Sequence, residues 1–84
     1  MKKEYLAQCP PILKEYLGYM ETIRGRSESA INEYFIDLRT FLRFMKQLRG
    51  LVPPTLPEAE IAILDVDIPF LATITLNDVY EYMN

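Results

Sequence analysis

The 84-residue sequence has no histidine, no tryptophan and a single cysteine. With Cys9 alone, no disulfide can form within the chain, and without histidine the usual Cys/His zinc sites are excluded. Phosphate-binding glycine loops, nucleophile elbows and EF-hand loops are also missing. Asp65 and Asp67 stand close together, but such pairs more commonly face solvent or cap a turn. We therefore predict no catalytic residue, no metal site and no cofactor.

Long hydrophobic runs are missing as well. No apolar stretch approaches the roughly 20 residues of a membrane span. Near the N-terminus, Glu4, Gln8 and Pro10 interrupt any signal-peptide core. We therefore expect no membrane partner and a cytoplasmic location. The single cysteine agrees with a reducing compartment.

Basic residues are missing from residues 51–84, which carry six acids. All nine lysines and arginines lie in residues 1–50 beside six acids, so the first part has a net charge of +3 and the second of −6. This asymmetry has two interpretations, a charged binding surface or two halves that attract each other. On charge alone the second is favoured, because surface charge is common.

The composition, 50% hydrophobic and 25% charged, is that of a globular protein, and the length of the chain suits one small domain. Its most regular stretch is Ser27–Arg49. Apolar residues recur there at helical spacing, namely Ile31, Tyr34, Phe35, Leu38, Phe41, Leu42, Met45 and Leu48. Ser27 can cap the helix start and Gly50 can end it. The adjoining face carries Asn32, Arg39, Arg43 and Lys46, and we expect it to present positive charge.

A second helix is predicted over Pro11–Ile23. Residues 1–9 before it are expected to be a frayed lead-in or to form one helical turn. The connection Arg24-Gly25-Arg26 is short, so the two helices should be antiparallel neighbours. It also places two arginines beside the N-terminus of the long helix, where a phosphate is favoured.

Four prolines in residues 51–73 exclude a long helix there. We expect an acidic, partly packed connection with a short helix over Glu58–Leu64, or a strand over 61–68 that would have no partner. A third main helix should follow Thr75, which forms a capping box with Asp78. Its predicted apolar side is Leu76, Val79, Tyr80 and Met83. The prediction is an all-α fold, a small bundle of three main helices with short turns between the last two.

Two motifs resemble a known family. Gly25-Arg26-Ser27 followed by Ile31, Tyr34, Asp37-Leu38, Phe41 and Phe44-Met45 is similar to the N-terminal core-binding (SAM-like) domain of the tyrosine recombinase/phage integrase family, Xer-like branch. Ile74-Thr75-Leu76-Asn77-Asp78-Val79 resembles the family's Ile-Thr-x-x-Asp-Ile opening of a helix. Ala30 departs from the usual threonine, and residues 51–73 are longer and more acidic than usual.

The resemblance implies a DNA-binding domain that clamps one side of a recombination site and works with other recombinase subunits on double-stranded DNA. It implies one domain over residues 1–84, truncated before the family's fourth helix. The catalytic residues of the family belong to a separate domain that is absent here. The implied DNA contacts are Arg24, Arg26, Ser27, Ser29, Asn32, Arg39, Arg43 and Lys46. The basic side chains would bind phosphates, and Asn32 could reach a base edge.

A different class of function stays open from the sequence, a small helical protein–protein interaction module without DNA binding. The net charge of −3 and the apolar residues within 51–73 favour it. If a covering helix is absent, apolar surface is left without a cover, and we expect self-association.

Overall fold

The computed structural model describes all 84 residues and contains five α-helices and no strand. The helices are α1 (Lys3–Gln8), α2 (Pro11–Thr22), α3 (Glu28–Leu48), α4 (Ile68–Leu71) and α5 (Leu76–Met83), with a 3₁₀ turn at Glu58–Glu60. The all-α prediction is confirmed. The strand considered for residues 61–68 does not form, and the helix expected over 58–64 is reduced to the 3₁₀ turn. No helix has both the length and the apolar character to cross a membrane.

The long helix α3 begins and ends where the sequence predicts. The Ser27 Oγ accepts a hydrogen bond of 3.1 Å from the Ala30 N–H, which caps the first turn. At the other end Gly50 takes a φ of 65°, and the Leu51 N–H donates to the Lys46 carbonyl. The helix buries one face, consisting of Ile31, Phe35, Leu42, Met45 and the stem of Lys46.

Helix α2 packs its buried Leu13 and Leu17 into the same core as Ile31 and Phe35 of α3. Gly25, with a φ of 66°, reverses the chain between them. The predicted pairing of these two helices is confirmed.

Residues 1–9 are not frayed but form a short helix, so the first of the two expectations for this lead-in is corrected and the helical alternative agrees with the structure. They form α1, whose Tyr5 ring lies 5.2 Å from the ring of Phe35, and Cys9 and Pro10 after it are buried. The helix has six residues and no side-chain cap, so local sequence signals are weak. Its order comes from packing against α3, which a short helix needs in water.

Residues 51–75 wrap across α3 and contribute buried Ile61, Ile63 and Val66 to the interior. Asp67 caps α4 by accepting from the Phe70 N–H, which fits its interpretation as a capping acid rather than a metal ligand.

The predicted apolar side of α5 is wrong in part. Val79 is half-buried, but Leu76, Tyr80 and Met83 are 66%, 56% and 74% exposed. The helix instead packs Tyr82 edge-on against Phe41 and Phe44, with ring centroids 5.0 and 5.2 Å apart. Arg49 fixes this orientation, because its guanidinium bonds to Asp78 at 2.8 Å and to the Thr73 carbonyl at 2.9 Å.

Candidate nucleic-acid interface

The most open of the predicted DNA contacts lie at the start of α3. Arg24, Arg26 and Ser29 are exposed, and their side chains make no hydrogen bond within the chain. Ser27 is also exposed, and its oxygen is already used as the helix cap. The short α2–α3 connection holds these four residues together, so two free guanidinium groups lie beside the N-terminus of a 21-residue helix.

Asn32 lies one turn further along and is half-buried. Its Oδ1 accepts a hydrogen bond of 3.2 Å from the backbone N–H of Lys2. This bond leaves the Nδ2 donors of the amide free. A free amide donor on this surface suits contact with an acceptor on a base or a phosphate.

Arg39, by contrast, is held by α1. Its Nη1 donates to Gln8 Oε1 at 2.9 Å, and its guanidinium carbon lies 5.4 Å from the ring centroids of both Tyr5 and Phe35. Its Nε is buried without a hydrogen-bond partner. The side chain therefore bridges α1 and α3.

Arg43 is held by the connecting segment, which we define as residues 51–67 between α3 and α4. Its Nε donates to the Ile61 carbonyl at 3.0 Å and its Nη2 to the Ala59 carbonyl at 3.2 Å. Burial lowers the pKa of Arg43, and the nearby Arg39 charge lowers it further, while Glu58 acts in the opposite direction. Even so, an arginine stays protonated at neutral pH. The group satisfies two backbone carbonyls of the connecting segment.

Lys46 is buried and donates to the Ala62 carbonyl at 2.8 Å and to the Asp65 carboxylate. The hydrogen bond from Lys46 is the main reason that the pKa of Asp65 falls below its usual value. Burial of Asp65 opposes this effect, and the charge of Lys46 adds to it.

The expectation that this face of α3 presents positive charge to solvent is therefore corrected. Helix α1 covers Arg39, and residues 59–65 cover Arg43 and Lys46. The reason is that backbone carbonyls in the connecting segment need donors, and the basic side chains of α3 supply them. Contacts of these three residues with DNA stay a prediction.

Sequence reasoning missed two groups of residues. Arg49 joins α3 to α5, and residues 1–3 lie against the beginning of α3. No local pattern could have shown either contact, since the partners are 24 to 30 residues apart. No cluster of three or more histidine, cysteine or acidic side chains is placed to hold a metal ion.

The chain is 45% identical over 75 residues, which is 89% of its length, to the tyrosine recombinase XerC of Caldanaerobacter subterraneus subsp. tengcongensis. The resemblance to the tyrosine recombinases is confirmed. The chain spans 21% of the length of that relative. No family model matches the chain, and no solved structure does.

Proposed function

We propose that the chain is the DNA-binding domain of a site-specific tyrosine recombinase, a single unit over residues 1–84 that carries no catalytic residue. In this proposal it clamps double-stranded DNA in the cytoplasm beside other recombinase subunits, and a separate domain cleaves the strands. The similarity to a tyrosine recombinase supports the class of protein. The observation that carries DNA contact is the pair of exposed, unbonded guanidinium groups of Arg24 and Arg26.

The contact surface in this proposal is the start of α3. Arg24 and Arg26 bind phosphates, Ser27 and Ser29 offer hydroxyl groups, and Asn32 offers its free amide donors. The role of the covered residues is mainly structural. Arg39, Arg43 and Lys46 donate hydrogen bonds that hold α1 and the connecting segment against α3. This division follows from the hydrogen bonds that those three side chains already make.

Binding should be weak and steeply dependent on salt. Each phosphate contact contributes a slope of about −0.9 in log affinity against log salt concentration, so two arginines give about −2. Because the overall charge is negative, repulsion from the acidic half also weakens binding at low salt.

The test is fluorescence anisotropy with a short labelled DNA duplex over a series of salt concentrations. The double variant Arg24→Gln/Arg26→Gln removes two charges, so the salt slope should become shallower by about 2 and the affinity should fall with it. The control Lys14→Gln removes one exposed charge in the first half of α2, and the double variant should lose more than twice as much log affinity as this control. No measurable binding by the unmodified chain at low salt would overturn the proposal, and so would a loss of log affinity in the double variant that is no more than twice the loss in Lys14→Gln.

The protein-interaction alternative is favoured by a specific observation on α5. Leu76, Tyr80 and Met83 share one face at helical spacing and are more than half exposed. Such a face favours association with another apolar surface. Light scattering of the unmodified chain and of Leu76→Ser/Tyr80→Ser/Met83→Ser tests it. Self-association that disappears in the variant supports the alternative, whereas a monomer at high concentration contradicts it.

A further inference from the structure

Residues 1–8 lie along the first half of α3 in the same chain direction. Four contacts define how the two segments are aligned. From one contact to the next, the N-terminal segment advances by one or three residues while α3 advances by three or four. The pairs are Met1 with Glu28, Lys2 with Asn32, Tyr5 with Phe35, and Gln8 with Arg39. The beginning of the chain is therefore fixed beside the beginning of α3.

This register brings Lys2 and Lys3 to the same end of α3 as Arg24 and Arg26. Both lysines are exposed, and neither is paired with a carboxylate within 4.0 Å. Lys2 Nζ lies 5.6 Å from the centroid of the Tyr5 ring, a weak contact that an exposed lysine can leave. Four exposed cationic side chains thus belong to segments that lie at the same end of α3.

One acid at this end of α3, Glu28, is paired within the chain. Glu28 lies 3.7 Å from the terminal ammonium group of Met1, whose side chain is largely buried. The ion pair offsets a negative charge that would otherwise repel a phosphate. The buried Met1 side chain and the hydrogen bond from the Lys2 N–H to Asn32 hold the start of the segment in place, which reduces the ordering cost of binding through Lys2 and Lys3.

We propose that residues 1–3 form part of the nucleic-acid interface, with Lys2 and Lys3 binding backbone phosphates next to those held by Arg24 and Arg26. Lys2 has a second role as a positioning residue. The Lys2 backbone N–H donates to Asn32 Oδ1, so the Nδ2 group of Asn32 stays free to donate to the nucleic acid. The inference rests on the proposed function and adds the N-terminal segment to the surface.

The first experiment compares Lys2→Gln/Lys3→Gln with the control Lys14→Gln by anisotropy with the same duplex. Neither lysine makes a side-chain hydrogen bond, and Lys2 provides no side-chain cap for α1, so the double variant should fold. For each lysine–phosphate interaction that the variant removes, affinity should fall about eightfold at about 0.1 M salt, and the salt slope should become shallower by about 0.9.

The outcomes separate the two proposals. Lys14→Gln removes one charge and the double variants remove two, so losses of log affinity are compared per charge. If Arg24→Gln/Arg26→Gln loses binding while Lys2→Gln/Lys3→Gln loses no more than twice as much as Lys14→Gln, the N-terminal segment is not part of the interface and the proposed function stands. If the unmodified chain does not bind the duplex at low salt, both proposals fail.

The second experiment isolates the backbone bond by comparing Lys2→Pro with Lys2→Gln. Lys2 has a φ of −58°, which proline adopts without strain, so the change removes the N–H donor at a compatible position. Lys2→Pro should shift the NMR resonances of the Asn32 side-chain amide and weaken duplex binding beyond the effect of Lys2→Gln. Identical amide resonances and affinities in the two variants would overturn the positioning role.

Discussion

The side chain of Lys46 is 9% exposed, and its ammonium group bonds to the carboxylate of Asp65, whose side chain is 77% exposed. The pair joins the basic part of the chain to its acidic part, as the Arg49–Asp78 pair does near α5. These two ion pairs show attraction between the halves, as the second interpretation of the charge asymmetry expects. Five exposed bases form neither an ion pair nor a side-chain hydrogen bond within the chain and stay open to a partner, namely Lys2, Lys3, Lys14, Arg24 and Arg26.

The Lys46–Asp65 pair gives a prediction for stability. Asp65→Asn should lower the free energy of unfolding by about 1 kcal/mol, because the amide oxygen can still accept from Lys46 but no longer carries the charge that strengthens the bond. The loss stays small because Lys46 keeps the Ala62 carbonyl and because water reaches Asp65. Urea unfolding measures it, with Glu60→Gln as the control. A loss above about 3 kcal/mol would contradict the view that the pair is well solvated on one side.

Replacing the buried cation itself should have a different result. Lys46→Met removes both the ammonium group and the cost of keeping it from water, so stability should change by less than about 1.5 kcal/mol. It leaves the Ala62 carbonyl without its donor, which limits any gain. Urea unfolding of Lys46→Met and Asp65→Asn, measured side by side, shows whether removing the whole ion pair costs less stability than removing the negative charge alone. A loss of more than about 3 kcal/mol in Lys46→Met would contradict this prediction.

Acid should destabilise the protein through two carboxylates. The pKa of Asp65 is lowered mainly by the Lys46 hydrogen bond, and that of Asp78 mainly by the Thr75 N–H and then by Arg49. Groups with a lowered pKa stabilise the fold above the ordinary aspartate value of about 4, and this stabilisation is lost as the pH falls through the lowered values.

The measurement is the urea midpoint of unfolding at a series of pH values from neutral to about pH 3, which lies below the ordinary aspartate pKa. Asp78→Asn should give a smaller decrease than the unmodified chain. Glu81→Gln, an exposed acid on the same helix that forms no ion pair, should leave the decrease unchanged. An equal decrease in all three proteins would rule out Asp78 as a source.

Two arginines in this chain should separate stability from binding. Arg43→Gln leaves the Ala59 and Ile61 carbonyls without their donors and should cost about 1–3 kcal/mol. Arg26→Gln, which removes no bond within the chain, should change stability by less than about 0.5 kcal/mol while it weakens duplex binding. Equal effects of the two changes on unfolding would show that the connecting segment does not depend on Arg43.

The docking of α5 can be tested with two tyrosines. Tyr82→Ala removes two edge-on aromatic contacts, each worth about 0.5–1.5 kcal/mol, and should release α5 from α3. Amide hydrogen exchange should then become faster in α5 while α3 stays protected. Tyr80→Ala, on the exposed face, should leave exchange as it is. Faster exchange in both variants would mean that helix propensity, not docking, protects α5.

The sequence alone determined α2, α3 and the capped start of α5, because Ser27, Gly50 and Thr75 act on neighbouring residues and the apolar spacing repeats within each helix. The tertiary structure alone decided whether the bases of α3 face solvent. That depends on residues 59–65, which return to α3 from 16 to 19 residues away and bring carbonyls and Asp65 to Arg43 and Lys46. It also decided that residues 1–8 are ordered, since contacts with α3 and not local propensity hold so short a helix.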